Sequence, residues 1–374
     1  MLWHRQVLLG TVAAVALLVA NGIASAADPI RIAVAGPFSG QIALYGEMQK
    51  AGVLMALDRI NALGGVDGRM LKAILVDDAC RPQQALAVAE QVVEAGIKLV
   101  VGHLCSGATQ AASVVYEREG VLMVTPAATN PAITSRGFKL VFRTIGLDSQ
   151  QGPVAGRFIL ENIEPRSIAI VHDNQQYGRG IAEAVRDFLE NAGANVVLFE
   201  EIHSGQTDFA GLIDRMKQAN VDFVYYGGYH PELGPLLRQS REQQFEARFM
   251  GPDGVGNKGI SDLAGDASEG LLVTLPADFS AFPENAELVK AFTDKGQDPS
   301  GPIVMPSYAA VQIIADAIQS TGGLDIERIA DALRNSTYET PIGQVEFDEK
   351  GDLDKFRFLI YEWHADGTKR PVQP

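Results

Sequence analysis

Short apolar runs alternate along the first part of the chain with longer segments whose apolar residues recur every three or four positions. Four runs rich in Val, Ile and Leu predict buried strands, at 30–35, 71–76, 98–102 and 121–125. The segments 46–63 and 82–95 predict helices, because the first ends at Gly64-Gly65 and the second begins with Pro82. This alternation is typical of a parallel sheet that is covered by helices on both faces.

The same alternation begins again after residue 147. Strands are predicted at 167–172, 195–202, 223–227, 249–251 and 270–275. Helices are predicted at 148–162, 177–192, 209–219, 231–239, 283–296 and 307–321. Two more strands are predicted within 343–363, around a turn at 349–352. The pattern therefore predicts two similar α/β units, and ligands of such sheets bind outside the carboxyl ends of the strands.

The first 26 residues have the pattern of a secretory signal peptide. His4 and Arg5 begin a short basic region, Val7 to Ala20 is apolar, and Ala24-Ser25-Ala26 is a small-residue cleavage pattern. The apolar run is shorter than the roughly 20 residues that a membrane-spanning helix needs. We therefore expect cleavage after Ala26 and a soluble, exported mature chain.

Acidic residues exceed basic residues, and this balance excludes some partners. The net charge is −15, and it becomes −16 without the signal peptide, in which Arg5 is the charged residue. An acidic surface argues against binding to nucleic acid or to anionic membranes. It says little about a zwitterionic ligand.

Two cysteines, Cys80 and Cys105, occur in a chain that is expected to be exported. An even count in an oxidising compartment predicts one disulfide bond, which would stabilise the fold by about 3–4 kcal/mol if unstrained. Both follow predicted strands, which makes the required close approach plausible. The alternative, a catalytic or metal-binding pair, is weak because His103 and Cys105 alone supply too few ligands.

Two turns that follow predicted strands carry hydroxyl side chains. Ser106 lies in the turn after the run at 98–102, and Thr129 lies in the turn after the run at 121–125. Where such a turn begins a helix, free backbone N–H groups and the positive end of the helix dipole can hold an anion. Ser106 and Thr129 are therefore candidate ligands of a small carboxylate, and simple N-capping is the alternative interpretation.

Several segments resemble, in sequence and in order, the periplasmic branched-chain amino-acid binding proteins, which are solute receptors of ABC importers. The segments are GHLCSGATQ (102–110), VTPAATNP (124–131), HDNQQYG (172–178), DFVYYGGYHPE (222–232), FMGPDGVGN (249–257), QDPSG (297–301) and FDEKGDL (347–353). The resemblance extends from about Ile30 to Trp363. It implies an α/β, two-lobed periplasmic binding protein fold of type I, in which each lobe is a mostly parallel sheet flanked by helices and the ligand lies in the interlobe cleft.

The resemblance also implies how the chain divides. The signal peptide would be 1–26, the N-terminal lobe 27–147 plus 277–356, and the C-terminal lobe 148–276 plus 357–374. The crossings would lie near Leu147, Pro276 and Phe356.

Residue by residue, the resemblance implies a ligand site between the lobes. Ser106 and Thr129 would hold the ligand's carboxylate, and Ala127 would offer a carbonyl group to its ammonium group. Tyr229 and Asp253 would close over the ligand from the other lobe. The side-chain pocket would be lined by Tyr45, Leu104, Tyr177 and Ile303.

The chain departs from the family at one position of this implied site. The acidic residue of the family's FMGPxG segment is glutamate, whereas this chain has Asp253, which is one methylene shorter. A bridging water or a tighter closure would let the shorter side chain serve an ammonium group.

Two rival motifs point to other functions and are weaker. Gly254 to Gly259 matches G-x-G-x-x-G, but a lone match fits a tight turn equally well, and a nicotinamide cofactor does not suit an exported protein. A hydrolase built on Ser106 and His103 would lack the G-x-S-x-G elbow. We therefore expect no enzyme activity, no cofactor and no metal site.

These observations lead to one functional hypothesis. We expect a periplasmic receptor that binds leucine, isoleucine and valine by hinge closure and delivers them to the membrane permease of an ABC importer. We expect it to be a monomer without a nucleic-acid partner. The alternative is an amino-acid- or amide-sensing receptor domain with the same fold.

Overall fold

The computed structural model describes residues 28–372, so the predicted signal peptide lies outside the described residues. The strands are β1 (Ile30–Gly36), β2 (Leu71–Asp77), β3 (Leu99–Gly102), β4 (Leu122–Thr125), β5 (Val141–Arg143), β6 (Ile168–His172), β7 (Val196–Glu201), β8 (Phe223–Gly227), β9 (Arg248–Gly251), β10 (Leu272–Pro276), β11 (Tyr338–Thr340), β12 (Gly343–Val345), β13 (Phe358–Trp363) and β14 (Lys369–Pro371). The helices are α1 (Ala43–Ala62), α2 (Pro82–Glu94), α3 (Ser106–Arg118), α4 (Asp148–Phe158), α5 (Gln176–Asn191), α6 (Ala210–Gln218), α7 (His230–Glu242), α8 (Gly259–Ala264), α9 (Ala286–Asp294), α10 (Val304–Thr321) and α11 (Ile326–Asn335). Within 28–372, no helix has the length and apolar character to cross a bilayer.

The first lobe is built on a five-stranded, fully parallel sheet with the strand order β2-β1-β3-β4-β5. Alternate residues of β1 point to opposite faces. Ile32 and Val34 pack with residues of α1 and α10 on one face, and Ala33 and Ala35 pack with residues of α2 and α3 on the other. Each strand is therefore buried on both sides, which explains the continuous apolar runs.

The second lobe contains a seven-stranded sheet with the order β14-β13-β10-β9-β8-β6-β7. The strands from β10 to β7 are parallel, and β13 and β14 join as antiparallel strands at the edge. Residues of α4 and α5 cover one face, and residues of α6 and α7 cover the other. The two-lobed α/β architecture predicted from the sequence is confirmed.

The C-terminal part of the chain returns to the first lobe before it ends in the second. Residues of α9, α10 and α11 share one apolar core with β1, whereas β13 pairs with β10. The predicted strands on either side of 349–352 are present as β12 and β13, but they belong to different sheets. The short β5, β14 and α8, and the amphipathic α11, were not predicted.

A buried ion pair joins β5 to the turn at 348–352. Arg143 is fully buried, and its Nε lies 2.5 Å from Oδ1 of Asp352, which is itself 5% exposed. The Thr134 hydroxyl donates to the same carboxylate at 2.8 Å and accepts a hydrogen bond from Arg143 at 2.7 Å. Burial lowers the pKa of Arg143, and the neighbouring Asp352 carboxylate opposes that shift.

Replacement of Asp352 by alanine should destabilise the fold strongly. A buried guanidinium that loses its counter-charge costs about 3–5 kcal/mol of unfolding free energy. Urea unfolding followed by circular dichroism measures this loss. The control is Asp354→Ala, because the Asp354 side chain is 56% exposed and its partner Lys355 lies 3.9 Å away. A loss of unfolding free energy below about 1 kcal/mol for Asp352→Ala would contradict the interpretation that Asp352 is the counter-charge of the buried Arg143.

Candidate functional site

A cavity lies where the strand ends of the two lobes face each other, with about 360 Å³ of space unoccupied by atoms. Its lining is Ile42, Tyr45, Leu104, Cys105, Ser106, Ala127, Tyr177, Tyr229, Asp253, Gly254 and Ile303. The lining contains all of the ligand-site residues predicted from the sequence except Thr129. A larger groove of about 2030 Å³ has none of them in its lining.

Ser106 is the first residue of α3 and does not act as its cap. The N-cap residue is Cys105, which is extended, and no side chain caps this helix end. The Ser106 hydroxyl instead accepts a long hydrogen bond, 3.4 Å, from the N–H of Asn130. The free N–H groups of the first helical turn therefore lie next to this hydroxyl at the edge of the cavity.

The turn after β4 does not begin a helix of the kind that follows Ser106. No long helix begins after Thr129; a three-residue 3₁₀ turn, Pro131–Ile133, is present and is capped by the side chain of Asn130. Thr129 is fully buried, and its hydroxyl has no hydrogen-bond partner among the described residues. N-capping therefore explains neither hydroxyl, because Cys105 and Asn130 occupy the two cap positions.

Arg143 supports this turn from beneath. Its guanidinium donates to the carbonyl oxygen of Ala128 at 2.7 Å and to that of Asn130 at 3.3 Å. The Thr125 hydroxyl donates to the His103 carbonyl oxygen at 2.6 Å and accepts from the N–H of Ala128 at 3.0 Å. The turn that carries Thr129 is thus held from two sides. Sequence reasoning missed Arg143, since one arginine at the end of a short strand carries no pattern.

Asp253 is the acidic group of the second lobe at the cavity. One of its oxygens, Oδ1, accepts hydrogen bonds from the Tyr177 hydroxyl at 2.6 Å and from the Gln151 amide at 3.0 Å. The other oxygen, Oδ2, accepts no hydrogen bond from residues 28–372. Burial raises the pKa of Asp253, and the hydrogen bonds from Tyr177 and Gln151 oppose that rise.

Two tyrosine rings of the second lobe lie together beside Asp253. The centroids of the Tyr177 and Tyr229 rings are 4.9 Å apart. Tyr177 lies in the first turn of α5, and Tyr229 immediately precedes α7. Burial raises the pKa of both hydroxyl groups well above the usual value, so both remain neutral donors.

The two lobes contact each other around the cavity. The Tyr45 hydroxyl of the first lobe donates to the Asp253 carbonyl oxygen at 2.6 Å. The Asn130 amide donates to the carbonyl oxygen of Gln176 at 3.1 Å. These bonds link the N-terminal ends of α1 and α5 to the opposite lobe, so the cleft is closed.

The G-x-G-x-x-G match has a packing explanation. Gly254 lies in a 3₁₀ turn, and a Cβ atom there would lie 2.5 Å from the Gly228 carbonyl oxygen and 2.7 Å from the Tyr177 ring. Its N–H donates to the Tyr177 hydroxyl at 2.8 Å. The glycine therefore permits close contact between segments of the second lobe.

The predicted disulfide is confirmed. Cys80 and Cys105 are joined, with their Cα atoms 5.4 Å apart. His103, which precedes this bridge, is fully buried, and its ring nitrogens lie 2.5 Å from the Asp78 carboxylate and 3.1 Å from the Tyr116 hydroxyl. Cys105 is thus held in the disulfide, and both ring nitrogens of His103 are occupied by Asp78 and Tyr116 rather than by Ser106.

Two α/β lobes that close over one small cavity, with hydroxyl groups on one side and a carboxylate on the other, define a two-lobed ligand-binding protein. The chain belongs to the periplasmic binding protein family, whose family model matches residues 29–368.

Individual relatives are similar over nearly the whole chain. A leucine-, isoleucine-, valine-, threonine- and alanine-binding protein of Pseudomonas aeruginosa is 56% identical over 348 residues, 93% of this chain and 93% of that protein. The Leu/Ile/Val-binding protein of Escherichia coli K12 is 50% identical over 342 residues, 91% of this chain and 93% of that protein. A crystal structure of a leucine-binding protein from Thermotoga maritima has a TM-score of 0.85 and 27% identity, covering 92% of this chain and 98% of that one.

Proposed function

We propose that the cavity binds the branched-chain L-amino acids leucine, isoleucine and valine. The observation that carries this proposal is the pairing of opposite chemistries across one small cavity: hydroxyl and N–H donors at Ser106, and the free Oδ2 of the buried Asp253. The names of the Pseudomonas and Escherichia relatives support the same ligand class.

The first lobe would receive the ligand's carboxylate. The N–H groups at the start of α3 and the hydroxyls of Ser106 and Thr129 are all donors, and the positive end of the helix dipole favours an anion. Charge-assisted hydrogen bonds of this kind are about twice as strong as neutral ones. The Ala127 carbonyl group at the cavity edge would accept from the ammonium group.

The second lobe would neutralise the ammonium group. Asp253 offers Oδ2, while Tyr177 and Gln151 hold its other oxygen in place. The Tyr45 bond to the Asp253 carbonyl oxygen draws this residue toward the first lobe, which compensates for a side chain one methylene shorter than glutamate.

The apolar wall would select the ligand's side chain. It consists of Tyr45, Leu104, Tyr177 and Ile303, which are each less than 8% exposed. Burial of a leucine side chain contributes about 1.5–3 kcal/mol. One methylene more or less changes binding by only about 1–3 kcal/mol, so several aliphatic amino acids fit one site.

The transport role follows from this binding. The two lobes, divided near residues 147, 276 and 356, would close on the ligand as a hinge, and the closed form would be recognised by the membrane permease of an ABC importer. The receptor would be a monomer in the periplasm, exported by its signal peptide.

Titration calorimetry of the ligand-stripped mature protein tests the proposal directly. Leucine, isoleucine and valine should bind and release heat, whereas aspartate and lysine should not, because the apolar wall offers no partner for a second charge. The absence of binding by all three branched-chain amino acids would refute the proposed function.

Replacement of Ser106 by alanine should weaken leucine binding about ten- to hundredfold, because a hydrogen bond to a charged group contributes roughly 1.5–3 kcal/mol. Calorimetry measures the change. The control is Ser113→Ala in the same helix, since Ser113 is buried, bonds to the Gln110 carbonyl oxygen and does not line the cavity. Labelling of Ser106 by a fluorophosphonate, with turnover of leucine esters, would show a nucleophile instead.

Replacement of Asp253 by asparagine should weaken leucine binding by at least about tenfold, because the ammonium group loses its counter-charge. Asp253→Glu should also bind more weakly, since the lobes already close on the shorter side chain. Calorimetry of both variants checks this. Tighter leucine binding by the Asp253→Glu variant would show that the aspartate side chain does not reach the ligand. A loss of leucine affinity below about threefold in the Asp253→Asn variant would show that Tyr229 or the Ala127 carbonyl group binds the ammonium group instead.

A further inference from the structure

The two turns that would hold the ligand's carboxylate follow neighbouring strands of the first lobe. The backbone pairing of β3 with β4 ends at Val101 and Val124. Beyond this pair, the chain continues into the turns of Ser106 and Thr129. Thr125, the last residue of β4, is fully buried at this point and is not part of the cavity lining. A ligand that contacts both turns requires a fixed distance between them.

The hydroxyl group of Thr125 bridges these two turns. It donates to the carbonyl oxygen of His103 at 2.6 Å, in the turn after β3. In the turn after β4, it accepts from the N–H of Ala128 at 3.0 Å and from that of Ala127 at 3.4 Å. One side-chain oxygen therefore continues the contact between the two strands beyond the end of their backbone pairing.

His103 is a fixed attachment point for this bridge. It is fully buried, and its ring nitrogens lie 2.5 Å from the Asp78 carboxylate and 3.1 Å from the Tyr116 hydroxyl. Tyr116 belongs to α3, the helix that begins at Ser106. The carbonyl group that accepts from Thr125 is therefore held together with the helix that begins at the cavity.

Ala128 is held through both of its backbone polar groups. Its N–H donates to Thr125, and its carbonyl oxygen accepts from Arg143 at 2.7 Å. Ala128 is 1% exposed and lies between Ala127 and Thr129, the two proposed ligand contacts of this turn. The Thr125 hydroxyl thus ties the turn to the start of α3, whereas Arg143 fixes it from the side of β5.

We propose that Thr125 is a positioning residue for the ligand's carboxylate, because its hydroxyl group sets the distance between the donors at Ser106 and those in the Thr129 turn. Without this hydroxyl, the His103 carbonyl oxygen and the Ala128 N–H lose a buried partner, and a buried polar group without a partner costs free energy. The turns then shift, and the ligand has to order them again when it binds. This inference rests on the proposed amino-acid function.

The test replaces Thr125 by valine, which keeps the shape of the side chain and removes the hydroxyl group. We expect leucine binding to weaken by about tenfold, because the donors of the two turns are no longer held at the distance that the carboxylate requires. Calorimetry of the ligand-stripped protein measures the affinity. Urea unfolding measures the stability of the same variant.

The matched control is Thr144→Val. Thr144 is also fully buried in the first lobe, and its hydroxyl donates to the Pro306 carbonyl oxygen at 2.9 Å, outside the cavity lining. This variant should lose a comparable amount of stability, because it also loses one buried hydrogen bond. Its leucine affinity should stay within about threefold of that of the wild type.

A second pair of variants isolates the hydroxyl group if Thr125→Val folds poorly. Thr125→Ser and Thr125→Ala both lack the methyl group and differ from each other by one oxygen atom. The serine variant should bind leucine about fivefold or more tightly than the alanine variant, because serine restores the bridge. Equal leucine affinity in these two variants would overturn the inference.

A double-mutant cycle tests whether Thr125 acts through the donors at the start of α3. Ser106→Ala should reduce leucine affinity by a factor at least about threefold smaller in the Thr125→Val background than in the wild type, because a displaced hydroxyl contributes less to binding. Equal reductions in the two backgrounds would show that the two residues act independently, which contradicts the positioning role.

Failure of this inference differs from failure of the proposed function. A wild-type protein that binds no branched-chain amino acid refutes the proposed function itself. If the wild type binds leucine but Thr125→Val changes its affinity by less than about threefold, the inference alone is overturned. Equal losses of leucine affinity in Thr125→Val and Thr144→Val also overturn it, since that pattern reports only a destabilised lobe.

Discussion

The burial of one carboxylate between two lobes is the constraint on which this structure depends. Asp253 is 8% exposed and receives hydrogen bonds from Tyr177 and Gln151, while its carbonyl oxygen accepts from Tyr45 of the other lobe. A charge in such a place is stable only with partners on several sides. Tyr177 and Gln151 of its own lobe supply hydrogen bonds to the carboxylate. Closure of the lobes adds the Tyr45 bond to the backbone carbonyl oxygen and covers the carboxylate from the other side.

The first lobe meets the complementary requirement by rigidity. Its donors lie at the first residue of α3 and in the Thr129 turn, where helix hydrogen bonds do not hold the backbone in place. The disulfide from Cys80 fixes the residue before Ser106, and Arg143 fixes the carbonyl oxygens on both sides of Thr129. Donors held in this way would lose little entropy if they bind the proposed carboxylate, which is the advantage of a preorganised site.

The sequence predicted those parts of the site that follow from local pattern. Apolar runs placed the strands, and the rule that ligands lie at strand ends brought Ser106 and Asp253 to facing edges. The resemblance supplied the remaining lining. The resemblance predicted neither Arg143 nor Gln151, because each contacts the site through residues distant in the chain. The helix-start geometry considered for both turns is present at Ser106 but not at Thr129, since Asn130 and Pro131 form only a short turn.

Charge and shape contribute unequally to selectivity at this cavity. Loss of an ammonium group would leave Asp253 buried and unpaired, at a cost of about 3–5 kcal/mol. Exchange of one aliphatic side chain for another moves a methylene against Leu104 or Ile303 and changes binding by only about 1–3 kcal/mol. In the proposed site, the charged groups would therefore define the class of ligand, an α-amino acid. The apolar wall would order the members of that class, and small changes in it would shift that order without altering the fold or the class.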